Sequence, residues 1–226
     1  MSNSVGLNVG LSDSLAAKTR LYADYYRHLA AGTITDVYDD ETVTLGSCFY
    51  RAFNLARATF LVAESMAGYG LFMTCTNLTH VDFPKLKNIS VNAFNGDTKL
   101  SYVFFPKVTL ISNTAFLGSG LERADFQSCA NIGTACFHGC SKLKEIKIPV
   151  CTNISRNAFY NCTALEKIFL DGVTAVPTLG SGALDGTPEE LKIIVPDNLV
   201  DAFKVATNWS AYADKIVGIS EYNAAT

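Results

Sequence analysis

The chain of 226 residues lacks most of the patterns by which catalytic and metal-binding proteins are recognised. Its three histidines form no H-E-x-x-H pair and its seven cysteines no C-x-x-C pair, which are the spacings that bring such side chains together on zinc. No serine lies in a G-x-S-x-G turn, and the short G-x-G segments lack the rest of a phosphate-binding loop. The sequence therefore predicts neither catalytic residues nor a cofactor.

The chain also has no apolar run of the roughly 20 residues that a membrane helix needs. The opening segment, MSNSVGLNVGLSDSL, lacks the basic and then apolar stretches of a secretory signal. We therefore expect no membrane insertion, and the location stays open between the cytoplasm, a virion and a non-classical export route. The formal net charge of −3, without a long basic run, gives no support for nucleic-acid binding.

What the sequence does contain is a recurring unit of about 22 residues. The unit LTHVDFPKLKNISVNAFNGDTK, from Leu78, is followed by LSYVFFPKVTLISNTAFLGSG, from Leu100. Self-similarity at a fixed period predicts a solenoid, in which each unit buries its apolar side against its neighbours. The units begin at Leu55, Leu78, Leu100, Leu121, Leu143 and Leu165.

Each position in the unit has an expected structure. Val81 and Phe83 alternate with polar residues as in a half-buried strand, and Pro84 ends the ladder because it has no N–H to donate. Ile89 and Ala93 have the spacing of one helical turn. Each unit is therefore predicted to form a short strand, a bend and a helical or 3-10 turn, with the strands stacked into a parallel sheet at about 4.8 Å.

One unit, LKEIKIPVCTNISRNAFYNC from Leu143 to Cys162, resembles the BspA-type leucine-rich repeat, whose pattern is roughly L-x-x-I-x-I-P-x-x-V-x-x-I-x-x-x-A-F-x-x-C. The resemblance covers roughly residues 43–219. It implies an α/β solenoid: a right-handed stack with a parallel β-sheet on one face, short helical or 3-10 turns on the other, and helical caps at both ends. It also implies a bacterial, non-catalytic protein from a family with roles in attachment to cells or matrix.

The repeat boundaries divide the chain into an N-terminal segment 1–42, a repeat array 43–190 and a C-terminal segment 191–226. An apolar stripe over residues 14–31 predicts a helix. This helix either covers the first coil or serves as an oligomerisation or docking helix, since an open stack exposes its core at both ends.

The C-terminal segment is predicted to close the other end of the array. Asp197 or Asn198 is expected to cap a helix that carries Phe203. We interpret Trp209 as part of this cap rather than as a platform for a ligand.

Most of the cysteines occupy apolar slots of the repeat, which predicts reduced, structural thiols. A disulfide between Cys140 and Cys162, on neighbouring units, is the alternative. Cys136, His138 and Cys140 also form a candidate zinc set, which we disfavour because Cys136 fills a slot that is alanine in other units.

The candidate binding residues are the outward positions of the predicted strands, two and four residues after each leucine. Extended faces of repeat arrays bind partners, and aromatic and arginine side chains are common anchors; the alternative is that the aromatics only pack on one another across the rungs. These residues are His80, Asp82, Tyr102, Phe104, Arg123, Asp125, Glu145, Lys147, Lys167 and Phe169.

These observations predict a non-catalytic binding module that presents this face to a protein or glycan partner, as in cell-surface or host attachment. The alternative is a structural or assembly component, such as a phage-tail or virion-associated protein, docked through its N-terminal helix and forming a homo-oligomer through residues 14–31.

Overall fold

The structure, a computed structural model, describes the backbone of Ser4–Gly6 and residues 35–40, 44–46 and 49–225. The predicted helix over residues 14–31 and Cys48 lie outside the described residues. The described chain coils into a solenoid of parallel strands, because the repeat places one short strand on each of two opposite sides of every coil.

The front side is built from three- and four-residue strands. In His80–Asp82 and Tyr102–Phe104, for example, the central side chain is buried and the flanking ones point outwards, as the alternation of apolar and polar residues requires. Two hydrogen-bonded sheets follow one another along this side. The first contains β1 (Ser4–Gly6), β2 (Asp36–Asp39), β4 (Arg57–Phe60) and β6 (His80–Asp82). The second contains β8 (Tyr102–Phe104), β10 (Arg123–Asp125), β12 (Glu145–Lys147), β14 (Lys167–Phe169), β16 (Lys192–Val195) and β17 (Ile216–Gly218).

The opposite side is a second parallel sheet rather than a row of helical or 3-10 turns, so the prediction for this side was wrong. Its members are two-residue strands: β3 (Thr44–Leu45), β5 (Ser65–Met66), β7 (Asn88–Ile89), β9 (Leu110–Ile111), β11 (Asn131–Ile132), β13 (Asn153–Ile154) and β15 (Thr178–Leu179). Ile89, which we expected in a helical turn, ends β7 and pairs with Ile111.

The segment after each of these strands turns without forming a helix. Asn92 has a φ of 57° and Ala135 a φ of 52°, which lie in the left-handed region and interrupt a right-handed helix. Separate turn hydrogen bonds, such as Ala93 N–H to Ser90 O at 3.2 Å, close the chain instead. Ile89 and Ala93 nevertheless both point into the core, where they are fully buried.

The core consists of columns of phenylalanine that run along the stack. Successive rings of the main column are 5.1–5.4 Å apart and nearly parallel. Because each ring belongs to a different coil, each coil supplies part of its neighbour's interior. This column contains Phe49, Phe72, Phe94, Phe116, Phe137 and Phe159. The buried Leu184 continues it in the next coil.

The C-terminal segment packs on the end of the array. A 3-10 helix, Asp197–Leu199, leads into helix α1 (Val200–Val205), and a second 3-10 helix, Ser210–Lys215, leads to β17. Trp209 is fully buried, stands edge-on to Phe203 with ring centroids 5.0 Å apart, and donates its Nε1–H to Pro177 O at 2.7 Å. It therefore offers no surface to a ligand.

Neither Asp197 nor Asn198 caps helix α1, which has no side-chain cap, so that prediction was wrong. The Asp197 carboxylate instead accepts hydrogen bonds from Ser220 N at 3.0 Å and Ser220 Oγ at 2.6 Å, at the start of the final helix α2 (Ile219–Ala225). These hydrogen bonds lower the pKa of Asp197. The side chain of Asp197 thus ties the last helix to the array.

The six described cysteines are buried, and Cys129, Cys136, Cys140, Cys151 and Cys162 are free thiols. Cys140 and Cys162 each donate to a phenylalanine carbonyl of the preceding coil, Phe116 O at 2.9 Å and Phe137 O at 3.0 Å respectively. Burial raises the pKa of both thiols, to about 11 for Cys140. They are reduced and internally hydrogen-bonded in this structure.

Candidate binding face

The outward residues of the front strands form two straight rows, because neighbouring strands pair in register. In one row, Tyr102 lies beside Arg123, which lies beside Glu145 and then Lys167. The other row runs in the same way through Phe104, Asp125, Lys147 and Phe169. We call these two rows, together with His80 and Asp82 on β6, the front face.

Two aromatic side chains stand out on the front face. Tyr102 is 51% exposed and Phe104 is 47% exposed, while Val103 between them is buried in the core. Within the described ranges, neither ring has an aromatic neighbour in contact. The alternative that outward aromatics only stack across the rungs therefore does not describe these two residues.

The exposed aromatic pair lies at a discontinuity of the front side. β6 and β8 are neighbours in space but belong to separate hydrogen-bonded sheets, and in the described part of the chain no ladder hydrogen bond joins them. On the opposite side the same two coils remain paired through Asn88 and Leu110. The break in strand pairing between these two coils therefore lies on the front face, beside Tyr102 and Phe104.

The charges around the pair are mixed and arranged by row. Burial is the main cause that raises the pKa of Tyr102; the Asp125 carboxylate raises it further, and the Arg123 guanidinium lowers it.

A shallow depression of about 530 Å³ adjoins the tyrosine. It is lined by Ser101, Tyr102, Glu122, Arg123 and Lys144. Polar groups of both signs and one aromatic ring therefore converge there.

Phe169, the third outward aromatic, is covered by the C-terminal helix. The Tyr222 ring meets it edge-on with centroids 5.7 Å apart, and Lys147 Nζ lies 5.5 Å from the centroid of the Phe169 ring. Lys167 Nζ in turn lies 6.0 Å from the centre of the Tyr222 ring. Phe169 is thus shared between the array and α2, and it is less accessible than Phe104.

The remaining outward residues complete the front face without forming a catalytic set. His80, Asp82 and Arg123 are exposed, while the other charged members are half-buried. Lys147 approaches Glu145 at 3.8 Å. Sequence reasoning missed Tyr222, because it lies outside the repeat and no periodic signal marks it.

The candidate zinc set does not assemble. Cys140 donates to a backbone carbonyl, and His138 turns its ring to Tyr160, with centroids 5.0 Å apart. Among the described residues, no group of three or more histidine, cysteine, aspartate or glutamate side chains could hold a metal ion.

A stack of near-identical coils with a buried phenylalanine column and parallel strands defines a leucine-rich-repeat solenoid. The family described as the BspA type leucine rich repeat region matches residues 42–122 and 65–189, in six copies. The chain belongs to this family.

Solved structures of bacterial leucine-rich repeat proteins are similar to this chain. The T. pallidum leucine rich repeat protein TpLRR is 24% identical over 71% of this chain and 75% of its own, with a TM-score of 0.59. A leucine rich cell surface protein from Faecalibacterium prausnitzii A2-165 is 17% identical over 85% of this chain and 79% of its own, with a TM-score of 0.36. A leucine-rich repeat protein from Bacteroides ovatus ATCC 8483 is 13% identical over 83% and 82%, with a TM-score of 0.32.

A comparison with curated proteins found no match. The described helices are all too short to cross a membrane. The repeat family is typical of non-catalytic proteins and suggests a binding role.

Proposed function

We propose that this protein is a non-catalytic recognition module that binds a protein or glycan partner through its front face. The observation that carries this proposal is the pair Tyr102 and Phe104, half exposed on a strand whose other side chains are buried. Both rings point away from the core and therefore do not contribute to its packing. Aromatic side chains are, however, frequent anchors in binding sites.

The surroundings of the pair support the same function. Arg123 lies next to Tyr102 in register, and the depression beside it offers carboxylate, ammonium and hydroxyl groups. Interfaces commonly combine an aromatic centre with such a polar rim. Attachment to cells or matrix, in the manner of a surface protein, is the biological setting we propose.

The test is a screen of the whole chain against host-cell surfaces and arrays of glycans and peptides. A Tyr102→Ala/Phe104→Ala variant should keep the far-UV circular dichroism and melting temperature of the parent but lose at least about tenfold in affinity, because truncating anchor residues typically costs more than about 1 kcal/mol each. Tyr69→Ala is the matched control, since Tyr69 is 61% exposed and lies outside the front strands. Equal binding by the double variant and the parent would exclude the front face.

The alternative proposal is a structural or assembly component docked through residues 14–31. It is separated from the first by deleting residues 1–32. A folded monomer after truncation of a multimeric parent would support docking, whereas aggregation would assign the segment to covering the first coil.

A further inference from the structure

The front face already binds one polypeptide segment, namely the protein's own C-terminal helix. Tyr222 of α2 contacts Phe169 edge-on, and cationic side chains of the array lie against both rings. The outward row of Phe169 continues without interruption through Lys147 and Asp125 to Phe104. The exposed part of the face is thus continuous with a surface that accommodates a peptide.

The two phenylalanines of this row differ in the charge beside them. Phe169 has Lys147 as its neighbour in register, and the ammonium group lies 5.5 Å from the ring centroid. Phe104 has Asp125 as its neighbour in register and the exposed Asp82 on the adjoining coil. The strand positions on both sides of Phe104 therefore carry carboxyl side chains, and among the described residues no cation lies over its ring as Lys147 does over that of Phe169.

The orientation of one carboxylate is fixed from within the chain. Asp125 Oδ1 accepts a hydrogen bond from Gln127 Nε2 at 2.5 Å, which holds the side chain on the front face. Within the described residues, neither Asp125 nor Asp82 forms a salt bridge. A cation placed over the ring of Phe104 would gain both the attraction of the aromatic face and the charges of two carboxylates.

We infer that Phe104, Asp82 and Asp125 form a subsite for the lysine or arginine side chain of a polypeptide partner, with Tyr102 as the adjacent apolar contact. This inference rests on the proposed function and names its partner: a peptide segment with a basic residue beside an apolar one. In this subsite the partner provides the cation for the ring of Phe104, as Lys147 provides one for the ring of Phe169 within the chain.

The experiment uses the whole protein, fluorescently labelled, on an array of short random-sequence synthetic peptides and in parallel on a glycan array. The selected peptides are then measured in solution by fluorescence anisotropy, each beside an analogue in which lysine and arginine are replaced by glutamine. The test variant is Asp82→Asn/Asp125→Asn. Its matched control is Asp171→Asn/Asp201→Asn, which removes two exposed carboxylates outside the outward rows and changes the net charge equally.

The expected result is enrichment of basic residues among the bound peptides. The affinity of Asp82→Asn/Asp125→Asn for these peptides should be about five- to tenfold lower, since partly exposed ion pairs each contribute modestly to binding. The control should bind like the parent, and added salt should weaken the parent more than the test variant.

The contrary outcomes separate this inference from the proposed function. The subsite would be overturned if the bound peptides were not enriched in basic residues, or if they bound the test variant and the parent equally. A loss of binding in Tyr102→Ala/Phe104→Ala would still support the front face. Binding to glycans alone, lost in that aromatic variant, would overturn the polypeptide partner but leave a recognition module. Binding unaffected by the aromatic variant would overturn both.

Discussion

Asp97 is a carboxyl group in a place where the repeat elsewhere puts a thiol. It lies three residues before its unit's leucine, as Cys140 and Cys162 do in their units, and it is fully buried. Those cysteines donate an S–H to a carbonyl of the preceding coil. Asp97 instead accepts one hydrogen bond, from Cys75 N at 2.8 Å, and among the described residues its Oδ2 has no hydrogen-bond partner.

Replacing Asp97 by cysteine should therefore stabilise the protein at neutral pH. A buried oxygen without a partner costs about 1–3 kcal/mol, and the hydrogen bond that the new thiol donates, about 0.5–1.5 kcal/mol net, offsets the one that Asp97 accepts from Cys75 N. Loss of the carboxylate does not leave the N–H of Cys75 without an acceptor, because it also donates to Phe72 O at 3.0 Å. We expect a gain of about 1–3 kcal/mol in the free energy of unfolding, or about 2–4 °C in melting temperature for each kcal/mol.

The gain in the free energy of unfolding should also depend on pH, and the direction of this dependence follows from the pKa of Asp97. Burial raises the pKa of Asp97 well above the ordinary value of 3.8, and the hydrogen bond from Cys75 only partly opposes this. Between the unfolded and folded pKa the folded state binds more protons, so the stability of the parent falls as pH rises through this window and then levels off. The difference in unfolding free energy, Asp97→Cys minus parent, should increase over the same window.

Urea unfolding followed by far-UV circular dichroism at a series of pH values from 4 (about the unfolded pKa) upwards measures this difference. Asp82→Asn is the control, since Asp82 is exposed on the front face. If the difference in unfolding free energy stayed constant with pH, or shrank as pH rises, the argument that ionisation of the buried Asp97 carboxyl destabilises the folded protein would be refuted.

Three further predictions test other parts of the fold. Trp209→Phe leaves Pro177 O without its donor in a dry site and should lower the free energy of unfolding by about 1–3 kcal/mol, measured by urea titration. Ala135→Gly should raise it by about 0.5–1 kcal/mol, because the φ of 52° suits glycine; a loss of stability in the same titration would contradict the assigned conformation. Cys140, whose pKa burial raises to about 11, should react with iodoacetamide only at the rate of unfolding, and fast labelling of the native protein by mass spectrometry would exclude its burial.

The front side of the solenoid could be predicted from sequence because two signals coincide there. The alternation of Val81 and Phe83 with polar residues sets a strand, and its return in each unit sets the register with a neighbouring strand, as between Val81 and Ala58. The outward positions followed directly, which is why the candidate residues occupy two rows. The fully buried phenylalanine column follows from the same repetition.

The opposite side could not be derived in the same way. A spacing of four residues, as between Ile89 and Ala93, fits one helical turn, but it also fits a strand that ends at Ile89 followed by a left-handed residue at Asn92. Pairing across coils decides between them, because a two-residue strand is stable only when neighbouring coils supply its partners. That pairing is absent from any single unit considered alone.

The contact of Tyr222 with Phe169 could not be predicted from the repeat either, because Tyr222 lies outside it. This contact affects the interpretation of the front face. Phe104 and Phe169 occupy the same outward position of their coils, yet one is covered by α2 and the other is 47% exposed. If outward phenylalanines served only the packing of the array, both would need an internal neighbour, since an exposed ring gains nothing from folding. The covered ring shows that this position can be satisfied by a peptide. The uncovered ring, which lies beside Tyr102 at the break between the two front sheets, therefore favours a partner supplied from outside the chain.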